Sequence, residues 1–222
     1  MVRLGILADT HIPKRSKEIP PTLLTHFQSV DMILHAGDWA SYESYTMLQQ
    51  LFPNTEIIGV AGNNDDARIR HHFGSAAKVI AVSGVKIGLV HGHEGKSSHT
   101  TEQRAFHALE HERVDVVVYG HSHVPSDRIV DGVRMFNPGS PTDKRRQARY
   151  SFGVMDVGLD GSVHLEHVYF DRMKEGSSEN ATVELMEMQR PRKRRCTQCQ
   201  QEGHNRRTCS SLRSTSSVVD DH

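Results

Sequence analysis

Apolar residues fall in short blocks along the first three quarters of the chain, and most blocks close on a small polar cluster. Val2–Ala8 is β-branched and apolar and stops at Asp9, which predicts a buried strand. Pro21–Gln28 predicts a helix with proline just inside its start. Met32–Ala36 predicts a second strand, Ser41 an N-cap for a helix running to about Leu51, and Glu56–Ala61 a third strand. The order β-α-β-α-β belongs to a mostly parallel, doubly wound α/β sheet.

The pattern then changes. Lys78–Val82 and Lys86–His91 flank Ser83-Gly84 and predict a hairpin. Thr100–Glu112 predicts a helix and Val114–Tyr119 a strongly apolar strand. Asp131-Gly132 between Arg128–Val130 and Val133–Phe136 predicts a second hairpin. Ser151–Val157 and Val163–Phe170 predict two more strands around Gly158–Gly161, and the body ends near Phe170. Two facing sheets with helices outside accommodate both halves.

Six polar clusters punctuate this body: Asp9-Thr10-His11, Gly37-Asp38, Gly62-Asn63-Asn64-Asp65, His91-Gly92-His93, Gly120-His121-Ser122-His123 and Asn137-Pro138-Gly139-Ser140. The first five carry side chains that divalent metals accept when thiolate is absent; the sixth offers no obvious ligand. Ligands in an open α/β sheet gather beyond the carboxyl ends of the strands, so one sheet edge collects Asp9, Asp38, Asn63, His91 and His121. Singly, Asn63-Asn64 reads as a turn and Asp9 as a helix cap; the set reads as a metal site. Asp9, His11, Asp38, Asn63, His91, His121 and His123 are too many ligands for one ion, which predicts two, with Asp38 as the natural bridge. Two cations about 3.5–4 Å apart activate a shared water and clamp both oxygens of an in-line phosphoryl displacement. Trp39, beside Asp38, supports this loop or stacks on a nucleobase. Arg145 and Arg146 lie either in a solvated loop or against phosphate oxygens.

Composition adds location and a second module. The chain has 222 residues, no net charge, and 36% hydrophobic and 24% charged residues, enough for one well-buried domain with something small appended. No run approaches the ~18 apolar residues of a transmembrane helix, and the immediate strand at Val2 leaves no room for a secretory signal; the expectation is a cytoplasmic or nuclear protein without membrane contact. From Arg190 onward the chain carries 8 Lys+Arg against 3 Asp+Glu, leaving the body acidic. Such a tail suits a polyanionic partner. All three cysteines lie there, as Cys196-x2-Cys199-x4-His204-x4-Cys209. That spacing supplies three thiolates and an imidazole for one tetrahedral structural zinc, in a module too small to fold without metal.

With their spacing and order, Asp9-x-His11, Leu34-His35-Ala36-Gly37-Asp38, Gly62-Asn63-x-Asp65, His91-Gly92-His93, Gly120-His121-Ser122-His123 and Asn137-Pro138-Gly139-Ser140 resemble the calcineurin-like metallophosphoesterases, and among them the small bacterial and archaeal phosphodiesterase group. The resemblance implies an α/β fold, a four-layer α/β/β/α sandwich of two mixed sheets, over residues 1–170. It also implies that Asp9, His11, Asp38 and His123 hold one metal, and that Asp38, Asn63, His91 and His121 hold the other. The metals it implies are two divalent ions, manganese foremost, with iron, zinc, nickel or magnesium as alternatives. Many members carry histidine after the asparagine of the third motif, where it helps protonate the leaving group. Here that position is Asn64, which is no acid near neutral pH. The expected substrate is therefore a phosphodiester with a good leaving group. The catalytic set is Asp38, Asn63 and His93, with His93 as the alternative proton source. A retromer scaffold subunit keeps the same fold as a binding module and lacks the first-motif histidine; His11 favours catalysis here.

The cysteine segment, residues 196–209, resembles the CCHC zinc knuckles of nucleic-acid-binding proteins. It follows a polar-to-basic linker at 171–195 and precedes a Ser-rich tail at 210–222 expected to be disordered. Thr197 and Asn205 stand where knuckles often carry base-stacking residues. Arg192, Lys193, Arg194, Arg195, Arg206 and Arg207 instead suit salt-dependent phosphate contacts with single-stranded RNA or DNA; the Pro191–Arg195 run alternatively reads as a nuclear localisation signal. Cys196→Ser is expected to weaken binding to single-stranded RNA in a salt titration while leaving hydrolysis of small diesters unchanged. Binding that ignores both salt and the substitution would refute the assignment.

Overall fold

The computed structural model describes residues 1–171. The predicted linker beyond residue 171, the zinc knuckle and the C-terminal tail lie outside the described residues. In chain order the elements are β1 (Val2–Leu7), α1 (Pro21–Phe27), β2 (Met32–His35), α2 (Tyr42–Leu51), β3 (Glu56–Gly59), α3 (Ala67–Phe73), β4 (Lys78–Val82), β5 (Val85–Val90), α4 (Thr101–His107), β6 (Val116–Tyr119), β7 (Ser126–Val130), β8 (Val133–Asn137), β9 (Tyr150–Val157) and β10 (Val163–Phe170).

Two five-stranded mixed sheets result, ordered β10-β9-β1-β2-β3 and β4-β5-β6-β8-β7. β1, β2 and β3 run parallel, as do β5, β6 and β8. β9 on β1, β10 on β9, β4 on β5 and β7 on β8 pair antiparallel. Leu4, Ile6 and Leu34 of the first sheet share one core with Ile87, Leu89, Val116, Val118 and Phe136 of the second. Alternation along β1 sends Gly5 to the opposite face, where the Phe27 ring of α1 occupies the space of a side chain. Behind the second sheet, Ala105 of α4 and Leu109 pack on Val117, Tyr119 and Met135. Helices therefore cover the outer faces, and no helix among the described residues is long and apolar enough to cross a membrane.

Three local features differ from the sequence expectations. α3 was not predicted, because only Ile69 and Phe73 of its seven residues are buried and its surface is Arg- and His-rich. The helix expected over Thr100–Glu112 starts with a Thr100/Gln103 capping box but ends at His107; beyond it Leu109 N donates to Phe106 O and Glu112 N to Leu109 O, a tighter turn. Ser41 is the N-cap residue of α2 but makes no side-chain cap; its hydroxyl donates to Ile12 O. Asp66 does that work, accepting Tyr42 N at 3.0 Å through one oxygen and Ile69 N at 2.8 Å through the other. One carboxylate thus serves the starts of both α2 and α3.

A Cβ on Gly5 would lie 2.4 Å from the Phe27 ring, which is fully buried. Gly5→Ala is expected to lower stability by about 1–3 kcal/mol through overpacking. The measurement is the urea midpoint, and an unchanged midpoint would show that α1 is free to shift away.

Candidate metal centre

Every predicted ligand lies just past the carboxyl end of a parallel strand: Asp9 and His11 after β1, Asp38 after β2, Asn63 after β3, His91 after β5, His121 and His123 after β6. The structure gathers them into two adjoining clusters. Asp9, His11 and His123 bring one ligand atom each within 4.8 Å of one another, and so do Asp38, His91 and His121. In the first cluster His123 Nε2 stands 3.3 Å from Asp9 Oδ1 and 3.2 Å from His11 Nε2. In the second, Asn63 Oδ1 lies 3.2 Å from His91 Nε2 and 3.0 Å from His121 Nδ1. Asp38 faces both clusters, with Oδ2 3.5 Å from His11 Nε2 and Oδ1 3.3 Å from His91 Nε2.

The backbone takes unusual shapes to achieve this. Asp9, His11, Asp38, His121 and His123 have φ of 55°, 45°, 60°, 66° and 59°, in the left-handed region that L-residues enter at a penalty. Gly62 is required by close approach: its Cβ would fall 2.3 Å from Asp38 Oδ1 and 2.8 Å from His91 Nε2.

Hydrogen bonds behind the clusters fix which ring nitrogen faces inward. His91 Nδ1 meets Ala36 O at 2.8 Å, and His123 Nδ1 meets Asp143 O, so each turns Nε2 toward the carboxylates. Asp65 is buried and accepts from Asp38 N at 3.0 Å, Ala40 N at 2.6 Å and Gly62 N at 2.7 Å. Burial pushes its carboxyl up to about 6 despite those donors. Burial also works to raise Asp38, but His91 and Asn64 outweigh it and hold that carboxyl below the usual range. Burial and the neighbouring His91 push His121 down to about 4 and lower His93 as well.

Sequence reasoning missed the supports. Asp65 and Asn137-Pro138-Gly139-Ser140 were visible as parts of the motif set, but with no role of their own. In the structure Ser140 Oγ donates to Asp9 O at 2.7 Å, Thr142 Oγ1 donates to Thr10 O, and Asn137 Nδ2 donates to Gly120 O at 2.9 Å. This segment ties the β1 loop to the β6 loop. Trp39 supports its loop rather than offering a stacking face: it is fully buried, donates Nε1 to Val60 O, and lies between the His35 and Phe73 rings. His93 sits at the edge of the second cluster, its ring 5.2 Å from that of His91.

The donor set fits divalent cations. Asp9 is 0% exposed, and neither of its carboxylate oxygens has a hydrogen-bond donor. A buried carboxylate in that condition is costly unless a cation compensates it. Asp9 therefore caps no helix.

A family model for the calcineurin-like phosphoesterase superfamily domain matches residues 2–160. The chain belongs to that superfamily. A probable metallophosphoesterase of Methanothermobacter thermautotrophicus is 36% identical over 161 residues, 71% of this chain and 86% of the relative. A phosphodiesterase of Methanocaldococcus jannaschii is 27% identical over 170 residues, 71% of this chain and 92% of the relative. Among solved structures, Vps29 of Entamoeba histolytica complexed with Zn2+ is similar at 26% identity with a TM-score of 0.60, covering 77% of this chain and all of the other. Members of this superfamily use divalent metals, and the two clusters are the candidate sites for them in this metallophosphoesterase.

Asp9→Asn keeps the shape and removes the buried negative charge. It is expected to raise the unfolding midpoint in EDTA and to give a smaller upward shift than the wild type when a divalent cation such as Mn2+ is added. Scanning calorimetry with and without metal reads both. An undiminished Mn2+ shift would remove Asp9 from the ligand set.

Proposed function

We propose that the chain is a phosphodiesterase dependent on two divalent metals, with manganese the first candidate. The observation that carries this reading is the Asp38 carboxylate, one oxygen toward His11 and the other toward His91. Asp9, His11, Asp38 and His123 would hold one ion, and Asp38, Asn63, His91 and His121 the other. The metals would supply an activated water and charge stabilisation for in-line displacement at phosphorus. Asp38 would lie between the two ions, His91 and His123 turn hydrogen-bond-anchored rings with Nε2 inward, and Asn63 would complete the second set with its amide oxygen. Similarity to a phosphodiesterase supports a diester substrate.

Asn64 supports a substrate with a good leaving group. Its amide donates Nδ2 to Asp38 Oδ2 at 2.7 Å, and its backbone N–H donates to Asp38 Oδ1 at 2.8 Å. The side chain at the position of the missing histidine thus orients the bridge and brings no acid. His93 remains the nearby proton carrier, with burial and His91 lowering its pKa. In the same reading Cys196, Cys199, His204 and Cys209 hold a structural zinc, and the knuckle brings single-stranded nucleic acid to the enzyme.

A non-catalytic binding module of the same fold is the second reading, favoured by the likeness to Vps29. One assay separates the two. With Mn2+ the wild type is expected to hydrolyse an aryl phosphodiester ~10²-fold or more faster than an alkyl one, as an enzyme lacking a general acid should. Asp38→Ala is expected to abolish both activities. Comparable aryl and alkyl rates would refute the missing-acid argument, and no turnover with any divalent metal would favour the binding module.

A further inference from the structure

Two arginines flank the second cluster, one from α3 and one from the loop between β8 and β9. Arg70 of α3, which follows β3, donates Nη2 to Asn63 O at 3.2 Å. Arg145, in the loop after β8, donates Nη1 to His121 O at 3.3 Å. Asn63 and His121 are themselves joined by the 3.0 Å contact from Asn63 Oδ1 to His121 Nδ1. Both arginines are exposed. Neither pairs with a carboxylate of the described residues, whereas Arg15 and Arg134 are ion-paired with Asp143 and Asp127.

The neighbouring cations are otherwise engaged. Arg104 spends its guanidinium on Gly92 O, His99 O and Thr101 Oγ1. Lys144 donates to Gln147 O at 2.8 Å. Arg145 is also held in place from behind. Its own N–H donates to Asp143 Oδ1, its φ is 46°, and the carbonyl of the same Asp143 orients His123. The guanidinium is thus carried by the segment that Ser140 and Thr142 tie to the β1 loop.

The geometry points to Arg70 and Arg145 as a two-sided clamp for the phosphoryl group, donating to its non-bridging oxygens at the rim of the second cluster. This rests on the phosphoesterase reading above and adds to it the groups that hold the anion. The chemistry suits the task. A guanidinium offers several N–H donors in a fixed fork that matches phosphate oxygens, and a single backbone contact leaves most of those donors for a ligand. An approaching phosphoester must also come to a site floored by the Asp9 and Asp38 carboxylates. Fixed positive charge at the rim favours that approach.

Orthophosphate binding to the Mn2+-loaded full chain, measured by calorimetry, tests the clamp whether or not the protein turns over. Arg70→Ala and Arg145→Ala are each expected to weaken orthophosphate by ~10-fold, the size of a solvent-facing charged hydrogen bond. The double variant should lose roughly the product of the two factors, and Arg145→Lys should recover part of its loss. Arg146→Ala, in the same exposed loop, should bind as the wild type does. Metal content, measured by elemental analysis, should stay constant throughout. Orthophosphate affinity unchanged in both single variants would overturn the proposal. So would a loss of metal in parallel with phosphate, which would make the arginines supports of the Asn63 and His121 backbones. If the variants lose orthophosphate affinity while the wild type hydrolyses no ester, the clamp stands and the catalytic reading falls.

Discussion

Two carboxylates, Asp9 and Asp38, are fully buried at the edge where the two sheets meet, and much of the surrounding structure follows from keeping them there. Water cannot solvate them, so each needs compensation from the protein or from a cation. Asp38 obtains part of it from Asn64 and the two flanking histidines. Asp9 has the His123 and His11 ring nitrogens 3.3 and 3.9 Å from Oδ1 and no backbone or amide donor. The backbones of both residues are secured from outside, Asp9 O by Ser140 Oγ and Asp38 N by Asp65.

The same constraint accounts for the left-handed backbone at five candidate ligand positions. A strand that ends at a buried edge must turn sharply to aim its side chain along the edge instead of across the core. Asp and His tolerate that region better than β-branched residues do, but each still carries a penalty of about 1 kcal/mol or more. The inter-sheet core of Leu4, Ile6, Leu89, Val118 and Phe136 is large enough to impose those turns. Asp65 then locks two of the loops together by accepting three backbone N–H groups. Rigidity of this kind holds a metal centre ready before substrate arrives.

The candidate ligands were legible in the sequence because each one follows an apolar block, and parallel strands deliver their ends to one side. The two hairpins were legible from Ser83-Gly84 and Asp131-Gly132, which take positive φ as those turns require. The helix α3 was not, because a seven-residue segment with two buried side chains leaves too weak a periodicity. The roles of Asp65, Ser140 and Asp143 were hidden for another reason. A side chain that accepts from backbone N–H groups or donates to a distant carbonyl leaves no spacing signature. Its partner, more than a hundred residues away for Ser140, is specified only by the completed fold. Ser41 shows the reverse case, a residue with the right local chemistry for a cap whose hydroxyl is drawn to Ile12 O while Asp66 caps from across the chain.

Asn64 joins these strands of reasoning. A histidine there would bring a titratable proton; an amide brings none near neutral pH. What the amide supplies is a second donor on the same residue whose backbone N–H already serves Asp38, so both oxygens of the bridging carboxylate are oriented by one residue. Those hydrogen bonds, with His91, keep the carboxyl below its ordinary range despite burial, which preserves its negative charge. Loss of the acid and secure placement of the bridge are therefore two consequences of one side chain. In the phosphodiesterase proposed above, the demand would then fall on the substrate, whose leaving group would depart without a proton from that position.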